Sequence, residues 1–155
     1  MSKDINILYI SLSGNTKYFI GKLTKYFAEH EITVNAINVK ENPEPTKLTA
    51  PFVTFLPAFL EGGNGVNNGD REILTGRLGQ YLDYQDNFAH CYGIVGSGNR
   101  NFNKQFALTA HQYAERYDFP FIADFELRGS ESDPERIARE IIYARAQFEN
   151  QPVGE

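Results

Sequence analysis

Apolar residues gather in five short runs, separated by segments of helical spacing. The runs are Ile5 to Ile10, Ile32 to Val39, Phe52 to Leu56, Tyr92 to Val95 and Phe121 to Phe125. Their β-branched and aromatic content reads as strands. Lys17 to His30, Asp70 to Tyr84, Asn103 to Tyr117 and Pro134 to Phe148 carry apolar residues three or four apart, as one helix face requires. Strands apolar on both faces that alternate with helices predict a parallel sheet between two helix layers, a doubly wound five-stranded α/β fold. At the last helix Ser132 and Glu135 have capping-box spacing around Pro134, and Ile137, Ile141, Ala144 and Phe148 then share a face.

Two connections depart from this alternation. Lys40 to Ala50, KENPEPTKLTA, has two prolines and no helical periodicity, although a parallel crossover commonly takes a dozen or more residues with a helix among them. The pattern predicts a reduced, helix-poor link between strands two and three. Pro57 to Asp70, PAFLEGGNGVNNGD, holds four glycines and three asparagines directly after the third strand and is too long for a simple turn.

With 155 residues, 41% hydrophobic and 23% charged, the chain has the size and composition of a single globular domain spanning 1–155. A net charge of −5 excludes nucleic acid and anionic membranes as main partners, because both need a basic face. No apolar run approaches the roughly 20 residues of a membrane span, and none has a signal-peptide layout, so the expected location is the cytoplasm. The lone Cys91 begins a strand and reads as buried filler, while His30, His90 and His111 have no metal-ligand spacing. No metal site is expected.

In open parallel sheets, ligands bind at the carboxyl ends of the strands, near the point where strand order reverses. The loops there are SLSGNT, PAFLEGGNG and GSGNRNF, all rich in glycine, serine and asparagine. In the first, Ser11, Ser13 and Thr16 offer hydroxyl donors, Gly14 permits a tight turn, and a helix opens at Asn15 or Thr16 with free N–H groups. That combination suits a phosphate, and an ordinary capped strand-to-helix turn is the competing reading. There is no G-x-x-x-x-G-K-[ST], no complete G-x-G-x-x-G and no G-x-S-x-G, which disfavours a P-loop nucleotidase, a dinucleotide fold and a nucleophile-elbow hydrolase. Tyr113 and Tyr117, four apart, read as one packed helix face.

Ser11 to Thr16 resembles the flavodoxin phosphate loop. GIVGSGNRNF followed by FELRGSESD is similar to the flavodoxin-like ribonucleotide reductase stimulatory proteins, the NrdI family, which also shortens the link after strand two. The resemblance runs from Ile5 to about Ile142. It implies flavin mononucleotide (FMN) as cofactor, with Ser11, Leu12, Ser13, Gly14, Asn15 and Thr16 at the phosphate. Pro57, Phe59, Leu60, Glu61, Gly62 and Gly63 would form one wall of the isoalloxazine site. Ser97, Gly98, Asn99, Arg100, Asn101 and Phe102 would form the other. It assigns no catalytic residue and no metal ligand, since the redox chemistry is the cofactor's.

The implied function is a redox activator rather than a turnover enzyme. It would supply a flavin-derived oxidant to the small, radical-bearing subunit of class Ib ribonucleotide reductase, for assembly of its manganese tyrosyl radical cofactor. A further protein, not identified by the sequence, would be the reductant. The alternatives are a general flavodoxin-type electron carrier and a flavin-free binding module of the same fold.

Overall fold

The computed structural model describes residues 4–10, 14–42, 44–57, 78–98, 108–126 and 130–149. In chain order the elements are β1 (Ile5–Tyr9), α1 (Asn15–Glu29), β2 (Val34–Asn38) and β3 (Phe52–Pro57). A helical stretch, α2 (residues 78–83), runs into a 3-10 segment at Tyr84–His90. Then come β4 (Cys91–Gly98), α3 (Leu108–Tyr117), β5 (Phe121–Glu126) and α4 (Asp133–Glu149). The strands form one sheet in the order β2-β1-β3-β4-β5, and every neighbouring pair is parallel. The chain leaves β1 for β2 on one side and returns to β3 on the other, so strand order reverses between β1 and β3. The doubly wound five-stranded fold expected from the pattern is the fold observed.

Helix α1 shows why packing dominates local propensity. It carries Gly21 and Thr24 in its interior, and glycine alone costs about 1 kcal/mol relative to alanine there. Against that, Phe19, Ile20, Leu23 and Phe27 are all buried, each worth roughly 1.5–3 kcal/mol. They meet α4 and one face of the sheet, where the Phe19 and Phe125 rings stack at 4.0 Å and Phe55 lies 6.3 Å from each. On the opposite face Leu8, Leu56 and Ile94 pack against Leu78 and Leu82 of α2. Tyr113 and Tyr117 of α3 flank that cluster with rings 5.9 Å apart.

The link after β2 contains no helix among its described residues, as its prolines predict. A buried asparagine holds it down instead. Asn87 accepts the Leu48 N–H at 2.7 Å and donates to the carbonyls of Thr46 and Tyr81 at 2.8 and 2.9 Å. The Thr46 and Tyr81 hydroxyls meet at 2.9 Å, and Leu48 packs against the second core. A cavity of about 540 Å³ lies along this link and the adjoining strands, lined by Asn6, Asn35 and Leu48 among others. The strands are polar there to match: Asn35 donates to Asn6 Oδ1 at 3.1 Å, and Asn6 donates to the Pro51 carbonyl at 3.1 Å.

Strand β4 is longer than its apolar run, continuing through Gly96, Ser97 and Gly98. Ser97 is opposite Pro57 on β3 and Phe125 on β5, so two neighbours supply the ladder that composition alone does not promise. The register with β3 shifts across Gly93, between Cys91 and Ile94, and the register with β5 shifts next to it, between Ile94 and Val95. A Cβ at Gly93 would come within 2.4 Å of Ile122 Cδ1, which is why glycine stands there. The capping box expected at α4 is replaced. Asp133 accepts the Ser130 N–H at 2.8 Å and pairs with Arg136, Glu135 pairs with Arg139, and the Ser132 hydroxyl meets that of Ser130. A nearby arginine and an alternative turn outcompeted the reciprocal cap.

Candidate functional site

The carboxyl ends of β1, β3 and β4 meet the amino end of α1 beside the reversal point. The helix begins at Gly14, which has φ 90° and ψ −12°, a left-handed conformation that an L side chain adopts only with strain. A Cβ at Gly14 would meet nothing within 4 Å, so the glycine answers to backbone geometry and not to crowding. Its carbonyl accepts the Tyr18 N–H at 3.0 Å and starts the helical ladder. The N–H groups of residues 15 to 17 precede that ladder and have no acceptor within the helix. Among the described residues no side chain caps this end, and no acidic residue lies in the first turn. The positive end of the helix dipole is therefore not neutralised from within α1.

Behind this turn two hydroxyls are buried together. Thr16, on the first turn of α1, is 2% exposed and Ser97, near the end of β4, is 3% exposed. Their oxygens lie 3.4 Å apart, although the residues are 81 positions apart in sequence. A phosphate loop and a strand-four loop that the sequence presents as separate walls are thus joined at one point.

The cation of the first helical turn, Lys17, is engaged by a carboxylate. Lys17 Nζ donates to Glu41 Oε2 at 3.1 Å, and both side chains are exposed. That bond holds the Lys17 ammonium pKa above its usual value. The Tyr9 phenol, at the end of β1, is pushed up chiefly by burial, with Lys17 opposing and Glu41 adding to the rise. Around the helix end, the donors at hand are amides and hydroxyls, a set that suits a phosphate held by hydrogen bonds and the helix dipole.

Of the residues singled out in the sequence, Gly14, Thr16 and Ser97 fall together here, while Asn15, Pro57 and Gly98 are described as the first residue of α1 and the last residues of β3 and β4. Ser11, Leu12, Ser13, Phe59, Leu60, Glu61, Gly62, Gly63, Asn99, Arg100, Asn101 and Phe102 lie outside the described residues. The Thr16 to Ser97 contact and the Lys17 to Glu41 pair were not read from the sequence, where nothing marks pairs so far apart. Cys91 is buried, its thiol pushed up to about 12 by burial, and is no nucleophile at neutral pH. Among the described residues no group of His, Cys, Asp and Glu could hold a metal, and no helix is long and apolar enough to cross a membrane.

Comparison with known proteins agrees with the fold. The family model described as NrdI flavodoxin-like matches residues 7–139. A Streptococcus pyogenes protein described as NrdI-like is 49% identical over 150 residues, covering 96% of this chain and 98% of its own. Protein NrdI of Bartonella bacilliformis is 27% identical over 127 residues, covering 82% and 86%. Among solved structures, oxidised flavodoxin 1 from Bacillus cereus superposes with a TM-score of 0.60 at 13% identity, covering 96% of this chain and 99% of that one. A short-chain flavodoxin associated with a bacterial microcompartment gives 0.58 at 14% identity, with the same coverage. The structural likeness establishes the fold, and with a family model spanning most of the sequence and relatives of this identity, the chain belongs to the NrdI flavodoxin-like family.

Proposed function

We propose that the protein binds FMN, with its phosphate at the amino end of α1, and serves the radical-bearing small subunit of a class Ib ribonucleotide reductase in the cytoplasm. Family membership and fold imply a flavin, and the observation that favours FMN in particular is the start of α1, which no described side chain caps, beside the buried Thr16 hydroxyl. A phosphate there takes hydrogen bonds from the first-turn N–H groups and from Thr16, and it faces the positive end of the helix. Ser11, Ser13 and Asn15 complete the cradle in this reading. The same reading assigns the ring to Pro57, to Phe59, Leu60, Glu61, Gly62 and Gly63, and to Ser97 through Phe102. Once bound and reduced by a partner protein, the flavin supplies the chemistry that converts oxygen into the oxidant for the manganese tyrosyl radical cofactor. The chain's own contribution is to bind, to orient and to limit water at the site.

Two measurements test this reading. The purified protein should retain or take up FMN in equimolar amount. Reduced, FMN-loaded protein mixed with oxygen and the manganese-loaded small subunit should raise the tyrosyl radical signal in electron paramagnetic resonance well above that obtained with free reduced FMN. Flavin uptake without radical gain would leave a general electron carrier. No uptake of FMN would overturn the proposal.

A further inference from the structure

The buried hydroxyl pair has a proton to spare. Thr16 and Ser97 each bring one O–H, and a single hydrogen bond between them uses one proton. Among the described residues, neither hydroxyl has another partner. Their separation of 3.4 Å is long against the 2.7–2.8 Å common for hydroxyl pairs, so the contact does not lock either group. Either oxygen can be the donor in isolation. An anion at the helix end removes that freedom. If Thr16 donated to Ser97, it would present a lone pair to the phosphate; if Ser97 donates to Thr16, the Thr16 proton is free to point at it.

We propose that Ser97 is a positioning residue of the phosphate site: its hydroxyl donates to Thr16 Oγ1 and so directs the Thr16 proton onto the FMN phosphate. This rests on the FMN reading above and changes the part played by Ser97, which the sequence grouped with the wall around the ring. Ser97 sits one residue before the end of β4, in register with Pro57 at the end of β3. Phosphate occupancy is thereby tied to the strand end from which residues 99 to 102 continue. Both side chains are more than nine-tenths buried, so water does not readily replace either partner.

The test is a double-mutant cycle on Ser97→Ala and Thr16→Ala, with FMN and riboflavin dissociation constants measured for each protein by flavin fluorescence. Ser97→Ala should weaken FMN by about tenfold and riboflavin by less than about twofold, and the double variant should bind FMN about as weakly as Thr16→Ala alone. The phosphorus-31 resonance of bound FMN should shift in Ser97→Ala, a change that a merely structural role would not bring. Ser97→Cys, which keeps a weak donor on a somewhat larger side chain, should fall between wild type and Ser97→Ala, and it carries the test should the alanine variant not fold. Equal losses for FMN and riboflavin would return Ser97 to the ring wall and overturn the relay while leaving FMN binding intact. Additive losses, or no loss in Ser97→Ala, would also overturn it. A wild-type protein that binds neither flavin would instead remove the proposed function on which the relay depends.

Discussion

Replacing Asn87 by alanine probes how the fold does without a helix between β2 and β3. Three hydrogen bonds of a buried side chain, one fully and two partly buried, are lost together, leaving the Leu48 N–H and the Thr46 and Tyr81 carbonyls without their partner. Each buried group left unsatisfied costs about 1–3 kcal/mol, but the vacated volume lies under a surface link and admits water to some of them. The expected loss is therefore about 2–4 kcal/mol, a large share of the 5–15 kcal/mol typical of a domain. Urea unfolding followed by circular dichroism measures it, and hydrogen exchange at the Leu48 amide localises it. Asn87→Asp sharpens the argument, because a carboxylate still accepts from Leu48 yet repels both carbonyls. It should be more harmful than alanine at pH 7 and should recover part of the loss at pH 4, where protonation restores a donor. A loss under about 1 kcal/mol for alanine, with Leu48 exchange unchanged, would refute the claim that Asn87 holds the link.

Gly93→Ala should cost about 1–3 kcal/mol, since its Cβ would fall 2.4 Å from Ile122 Cδ1 and 3.1 Å from the Pro120 carbonyl; Ile122→Ala in the same chain should restore part of that, and a neutral Gly93→Ala melt would contradict it. Gly14→Ala should lower stability by about 1–2 kcal/mol through its φ of 90° alone, with Gly14→Asn milder, and equal losses in thermal melts would show that backbone strain is not the cause. Burial raises Cys91 to about 12, and raises the phenols of Tyr92 and Tyr113 above their usual value. The unfolded chain releases these protons first, so their stabilising effect is complete below about pH 9 and is lost as pH rises, by about 1.4 kcal/mol per unit for Cys91. The urea midpoint should fall from pH 9 upward and begin to fall later in Cys91→Ala; a midpoint flat to pH 10.5 would contradict the assignment.

Periodicity was a sufficient guide wherever burial decides structure. The apolar positions 19, 20, 23 and 27 define α1 because all four are buried, and the prolines of the link exclude a helix whatever surrounds them. It was a poor guide where tertiary partners decide. Gly96 to Gly98 look like loop by composition, yet β3 and β5 on either side supply their hydrogen bonds. Asn87 looks like any surface asparagine until the link folds over it. Asn6 and Asn35, polar positions inside two strands of a parallel sheet, were the available sign that one sheet face would, at its β1–β2 end, be covered by the link and not by a helix, as it is among the described residues. At the candidate site, residue chemistry pointed to Gly14 and Thr16, whereas the meeting of Thr16 with Ser97 is a property of strand order and has no local signal.

The most direct test of the central claim is the ratio of riboflavin to FMN dissociation constants for the wild-type protein, measured in one buffer at one ionic strength. The two ligands share the ring and differ in the phosphate, so the ratio isolates what the start of α1 contributes. Several charge-assisted hydrogen bonds to one phosphate predict that FMN binds at least about 100-fold more tightly. Equal affinity for the two flavins would contradict the account, because the helix end at Gly14 would then not be the phosphate site.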